Sequence, residues 1–266
     1  MHVPARENSP NSLRLLLVNM WEFLIFRLYG PMASWGDIAV GEFRPTFDHP
    51  SKSAVLGLIA AAMGIRRDEE ERQRELARGY LMAIRIDSPG TLLRDYHTIQ
   101  VPPTSKGEKK YLFTTRKDEL AVPRDELNTI VSSRDYRCDT VYTICLWGRT
   151  AFPPYSLEAI KKHLDNPAFV LYLGRKSCPL SLPVHAQIVN AENLAEALGA
   201  VRFPDYQFIS PLLCRNDIRI FWEGDEKTGF EREHTVIRRD DPSSRKRWQF
   251  GDREEHYAII KIPRRG

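Results

Sequence analysis

The run from Phe26 to Ile65 constrains this chain more than any other stretch. It reads FRLYGPMASWGD, a short variable segment, then RPTFDHPSKSAVLGLIAAAMGI. An apolar strand meets a Gly-Pro turn at Gly30 and Pro31, a basic and aromatic loop follows, and the pattern predicts a small-residue helix after Pro50. Pro50 disfavours helix before itself, and Ser51 or Ser53 can cap. The first-turn N–H groups, with their partial positive charge, then face whatever lies ahead of the helix. Lys52 adds a full charge at that tip. Behind it Val55, Leu56, Leu58 and Ile59, with Gly57 and the alanines at 60–62, make a shaft that is apolar all round and therefore buried. The pattern suits anion binding, although the residues alone leave an ordinary capped core helix as the stronger alternative. A Walker A loop is excluded, because G-x-x-x-x-G-K-[ST] needs glycine before its lysine and here His49, Pro50 and Ser51 precede Lys52.

The flanking segments supply a sheet for that helix. Trp21 to Leu28 alternates as a first strand. Arg66 to Arg78 is almost wholly charged, with Leu76 and Ala77 as its main apolar contacts, and reads as an exposed helix or loop without a functional role. Tyr80 to Asp87 is a second strand, and Ser88, Pro89 and Gly90 turn the chain into Thr91 to Val101. The Pro- and Lys-rich stretch from Pro102 to Asn128 is followed by a returning strand, Thr129 to Arg137, so the two arms and their insert form a projecting hairpin. Asp139 to Trp147 is another strand, and Ser156 to Leu164 a short helix. Strand, helix, strand, repeated, is the ferredoxin-like β-α-β-β-α-β order also used by RNA-recognition domains.

The fold expectation is therefore α+β: a ferredoxin-like (RRM-like) domain over residues 20–200 with a thumb insertion at about 94–137, and a smaller β-rich C-terminal lobe over residues 201–266. In that lobe the strands Ile218 to Trp222, Thr235 to Arg238 and Tyr257 to Ile262 surround a turn from Gly224 to Gly229. Residues 1–19, ahead of Met20, are expected to be a disordered arm or an upstream extension of the reading frame.

Charge narrows the partner. Net charge is +4 and the pI near 8.8 falls below the guide of about 9 for nucleic-acid binders. Clustering says more: Lys106 with Lys109 and Lys110, Arg175 with Lys176, Arg238 with Arg239, and Arg245 to Arg247, interleaved with Tyr111, Tyr172 and Trp248. A single cluster is an ordinary solvated face, but several together favour a polyanion. Cys138, Cys145, Cys178 and Cys214 have no C-x-x-C or metal-ligand spacing and read as reduced core thiols of a cytoplasmic protein. No apolar run approaches the roughly 20 residues of a membrane span. No cofactor or metal is implied.

For chemistry, metal-free RNA cleavage needs a base for the 2′-OH proton and cations for the phosphorane charge. His97, with Arg94 and Tyr96 on the same strand, is the candidate, yet alternation sets Arg94 and Tyr96 on one face and His97 on the other. A packed strand histidine is the ordinary alternative. H-E-x-x-H, G-x-S-x-G and G-x-G-x-x-G are all missing.

GPMASWG (30–36), RPTFDHPSKSAVLGLIAAAMGI (44–65), LRDYHT (93–98), SRDYRCDTVYTICLW (133–147) and YLGRKSCPLSLP (172–183) resemble, in the same order, the CasD family of type I-E CRISPR Cascade subunits. The resemblance spans residues 21–188 and is weak beyond Phe203. It implies a repeat-associated RNA-binding fold with a thumb-like hairpin, binding the repeat-derived 5′ handle of the mature crRNA. It also implies CasC backbone subunits and the large CasA subunit as neighbours, and target DNA reached through the assembled antiviral complex. Handle contacts carried over fall on Arg27, Trp35, Arg44, Ser51, Lys52, His97, Arg134, Arg175 and Lys176, with Arg94 added as an RNA-binding residue of the same strand as His97 and with Trp35, Tyr96 or Tyr136 stacking on splayed bases. The expected function is a non-catalytic crRNA-binding and assembly subunit. The alternatives are a metal-independent pre-crRNA endoribonuclease using His97, as in type I-C relatives that cleave precursor RNA, and a purely protein-bridging role.

Overall fold

A long strand, β1 (Trp21–Ala33), starts the architecture. The computed structural model describes residues 20–261 except 104, 107–108, 111–112, 215–216 and 226–227. The expected arm at 1–19 lies outside the described residues, as do the side chains of Lys106, Lys109, Lys110 and Tyr111. Alternation along β1 feeds two cores: Leu24, Phe26 and Leu28 pack on one side of the sheet, Phe23 and Ile25 on the other.

The Gly-Pro pair does not turn the chain. Gly30 and Pro31 lie inside β1, which continues to Ala33. Pro31 has no N–H to give to a ladder, and the register of the neighbouring strand runs past it unshifted. There the pairing passes from Gly30 opposite Thr140 to Met32 opposite Cys138, and Asp139 has a φ of 56°. Gly30 serves close packing instead, since a Cβ would lie 2.7 Å from the Pro179 carbonyl oxygen.

After β1, the short β2 (Trp35–Gly36) pairs with β4 (Thr46–Phe47), and β3 (Phe43–Arg44) between them joins the main sheet. Helix α1 (Lys52–Ala62) begins where the serines place it: the Ser51 hydroxyl accepts from the Ala54 N–H at 3.1 Å. In α2 (Glu70–Gly79) the buried residues are Leu76 and Ala77. Next come β5 (Tyr80–Ser88) and β6 (Thr91–Val101), the two-residue β7 (Ser105–Lys106) and β8 (Lys109–Lys110), and α3 (Arg116–Leu120).

The return from this excursion is a single 21-residue strand, β9 (Asn128–Gly148), where the sequence suggested two. One strand suffices because its halves have different partners. The first half pairs with β6, from Thr91 opposite Cys138 to Val101 opposite Asn128. The second runs between β1 and β5. Helix α4 (Leu157–Asp165), β10 (Gln187–Ala191), α5 (Leu194–Ala200), β11 (Asp217–Trp222), β12 (His234–Ser244) and β13 (Gln249–Lys261) complete the described chain.

The main sheet has the order β10-β1-β9-β5-β11-β13-β12, antiparallel at each step, with β3 and β6 added along β9. The fold is α+β and mostly antiparallel. The last three strands do not build a sheet of their own: β11 pairs with β5, Trp222 opposite Ala83, so they prolong the first sheet. Ile220, Trp222 and Ala258 share one core with Phe23, Ile25 and Cys145 under α5, while α1, α2 and α4 cover the other face. Burial makes this arrangement cheaper than a lobe with its own small core. Of the four free thiols, Cys145 and Cys178 are buried, and Cys138 and Cys214 only half-buried.

Candidate nucleic-acid interface

The N-terminus of α1 is covered by this chain's own acids. Lys52 is 2% exposed. Its Nζ lies 2.9 Å from Glu223 and 3.0 Å from Asp241, and its backbone N–H donates to Asp240 Oδ2 at 2.8 Å. Carboxylates from β12 and the end of β11 thus meet both the ammonium and the positive helix end. Around them, Arg253 bonds Asp240 at 2.5 Å and Glu255 at 2.6 Å, and Arg238 bonds Glu255 at 3.1 Å. His49 lies 3.1 Å from Glu255 and stacks on Phe221 with ring centroids 3.9 Å apart.

Burial pushes the Glu223 carboxyl up, against the pull of Lys52 and Arg253. Burial pushes Glu255 the same way, but His49, Arg253 and Arg238 outweigh it and hold that carboxyl down at about 2. The expectation of a free charge at Lys52 is therefore corrected: its ammonium ties the helix to the last strands. Ser51, 9% exposed, is occupied as the helix cap.

Strand register collects several of the other expected residues. Arg44 on β3 sits opposite Arg134 on β9, and β6 places Asp95 opposite Arg134, His97 opposite Ser132 and Leu93 opposite Tyr136. Alternation then sets Arg44, His97, Arg134 and Tyr136 on one face at the root of the hairpin. Arg175 joins them from the 172–183 loop, its guanidinium 4.8 Å from the Tyr136 ring centroid, with exposed Lys176 beside it. Gly174 makes this approach possible: its φ is +84°, and a Cβ there would run into the Ser34 carbonyl oxygen. Arg175 Nη1 is buried without a hydrogen-bond partner among the described residues.

Four expected contacts fall elsewhere. Arg94 and Tyr96 occupy the opposite face of the hairpin, as alternation requires. There Arg94 grips Asp135 at 2.8 and 3.2 Å and lies over Phe43, and Tyr96 is 65% exposed. Arg27 points to the α5 side of the sheet, 4.2 Å from the Phe203 ring centroid, and burial lowers its pKa. Trp35 is 2% exposed and packs edge-on against Tyr142, so it is a core side chain rather than a free stacking surface. Tyr136, 6% exposed beneath Arg175, presents little open ring.

A cleft of about 1290 Å³ lies beside this face, between α1, the 169–174 segment and β12–β13. Ser53, Ala54, Gly57 and Ala61 line it from α1. Arg245 bridges to the Ser53 carbonyl beside Gly57, where a Cβ would lie 2.9 Å from Arg245 Nη2, and burial lowers the Arg245 pKa to about 10. Arg67, from the segment read as having no role, stacks over Trp248 at 4.4 Å. The sequence signal for this wall was the arginine clusters flanking Trp248; their position against α1 depends on the fold.

The fold and this basic surface define a class that the comparisons identify. The family described as CRISPR-associated protein (Cas_Cas5) matches residues 23–255, and the chain belongs to it. That match reaches into β13, well past the last of the sequence motifs. A curated relative is the CRISPR system Cascade subunit CasD of Escherichia coli (strain K12), 33% identical over 187 residues, which are 67% of this chain and 76% of the relative. Among solved structures, a chain of a CRISPR RNA-guided surveillance complex is 24% identical with a TM-score of 0.58 over 90% of both chains. Another, described as a crystal structure of a Cas protein, is 26% identical with a TM-score of 0.54 over 90% of this chain and 95% of that one.

Proposed function

We propose that this chain is a non-catalytic crRNA-binding subunit of a CRISPR Cascade surveillance complex. It holds the repeat-derived 5′ handle and caps the end of the CasC backbone near CasA, serving antiviral DNA targeting in the cytoplasm. The observation that carries this reading is the face shared by Arg44, His97, Arg134 and Arg175 at the root of the hairpin, in a chain 33% identical to a Cascade CasD. The order β10-β1-β9-β5, with α1 and α2 between β1 and β5 and α4 between β9 and β10, supports the ferredoxin-like reading. β6 and the first half of β9 form the thumb.

Arginine side chains and Lys176 hold the phosphates of a single strand. The test is fluorescence anisotropy with labelled handle RNA, comparing the native chain with an Arg44→Ala, Arg134→Ala, Arg175→Ala triple variant. At least a tenfold loss of affinity is expected; equal affinity overturns this site.

One observation favours the endoribonuclease reading: His97 Nε2 lies 2.7 Å from Asp95, a carboxylate close enough to favour the protonated imidazole of a general base. Repeat RNA incubated with the protein in EDTA distinguishes the two. No specific cleavage is expected, and cleavage that disappears in His97→Ala would put the nuclease first.

A further inference from the structure

The cleft between α1 and β12–β13 is distinct from the RNA-facing root of the hairpin, and its chemistry is different. Six of the large apolar side chains exposed among the described residues line it: Ile38, Phe169, Val170, Val236, Ile237 and Trp248, Val170 at 81%, Ile38 at 76% and Ile237 at 65% exposure. Such a grouping on one surface marks a docking site. Arg66, Arg67, Arg239 and Arg245 line the same cleft. Arg238, also in its wall and 7% exposed, keeps Nη2 buried without a hydrogen-bond partner among the described residues. Asp37, Asp240 and Glu255 line it too, and Arg238 pairs with the last two, so the arginines that face the opening are Arg66, Arg67 and Arg239, all exposed, and they favour an occupant with negative charge.

The aliphatic character separates the classes of occupant. Nucleobases stack on aromatic rings and guanidinium planes, whereas seating a phosphate strand against Ile38, Val170, Val236 and Ile237 would desolvate it with nothing in return. The volume of about 1290 Å³ exceeds the roughly 300–1,000 Å³ of small-ligand sites and suits a helix laid in a groove. This chain's own flanking segments are the wrong charge: residues 1–19 carry Arg6 and Arg14 against Glu7, and residues 262–266 carry Arg264 and Arg265. Resting on the membership of an assembly proposed above, we propose that the cleft docks an acidic, apolar-faced polypeptide segment from another protein chain of that assembly, its aliphatic side seated on Ile237 and Val170 and its carboxylates on Arg66, Arg67 and Arg239.

The probe is a photoreactive p-benzoylphenylalanine replacing Ile237, and separately Val170, both exposed so that substitution leaves the core intact. The intact RNA–protein complex is purified through a tag on this chain, irradiated, and the crosslinked peptide mapped by mass spectrometry. The expected product from both positions is one protein segment rich in Asp or Glu and aliphatic residues, with the yield falling at least tenfold in an Arg239→Glu background. Crosslinks to RNA, to a basic segment, or to nothing overturn the proposal, as does a yield indifferent to Arg239→Glu. Handle RNA in the same preparation is quantified independently. RNA present without the acidic crosslink defeats the cleft alone, and the crosslink without RNA defeats the RNA reading alone.

Discussion

At the residue scale, charge matters here through its partners. Lys52 and Arg175 look alike in sequence, each a cation next to a turn. One is enclosed by Glu223 and Asp241; the other has a guanidinium nitrogen with no partner among the described residues. Their substitutions should therefore separate. Lys52→Ala takes from the buried Glu223 carboxylate its nearest cation and should cost about 3 kcal/mol of stability, read as a drop in the chemical-denaturation midpoint, while the salt dependence of RNA binding in the folded fraction stays as it was. Arg134→Ala with Arg175→Ala should do the reverse, lowering the slope of log affinity against log salt by up to about 1.4 with a small change in melting temperature. A Lys52 variant that loses salt dependence without losing stability would return the lysine to the RNA site.

At the element scale, the same buried acids decide how the β12–β13 hairpin is held on α1. Glu255 titrates at about 2 rather than its ordinary 4.5. Its contribution is complete above that ordinary value and is lost as pH falls from about 4.5 towards 2, on the order of 3 kcal/mol across the window. Glu223 has the opposite sign, because burial raises its pKa and protonation relieves it as pH falls. Glu255→Gln should accordingly flatten the acid side of the stability curve, followed by tryptophan fluorescence in denaturant titrations between pH 5 and pH 2, roughly the span over which a carboxylate of this kind titrates. A second element-level test concerns the 172–183 loop. Gly174→Ala combines a left-handed φ with a backbone clash, so it should destabilise by at least about 1 kcal/mol and weaken RNA binding by moving Arg175 off Tyr136. Unchanged binding there would detach the loop from the interface.

At the scale of the whole molecule, one sheet carries both the helical layer over α1 and the C-terminal strands. Calorimetry should therefore give one cooperative transition. Truncation after residue 200 should fail to yield a folded fragment, because it strips the partner strand from β5 and removes Ile220, Trp222 and Ala258 from the second core. A stable, proteolysis-resistant 20–200 piece would restore the separate lobe that the turn-rich sequence suggested. Composition reports strands, but not which edge they pair with; in the structure that edge is β5. The basic cluster at the root of the hairpin was partly legible. Arg44 and Arg134 stood in motifs, and alternation alone separated Arg94 and Tyr96 from His97, but the burial of Trp35 could not be read from an aromatic in a loop.

What the sequence determined by itself was local: the capped small-residue helix after Pro50, the two arms of the hairpin, and the ordered motifs that carry the family. These follow from backbone sterics, capping and periodicity, which act within a few residues. What only the tertiary structure decided was where charge is spent and where it is left free. Lys52 and Glu223 lie 171 residues apart, and a pair that distant has no periodic trace in the chain; only the pairing of β11 with β5 brings the acid to the helix, and only the packed structure leaves Arg66, Arg67 and Arg239 exposed at the cleft.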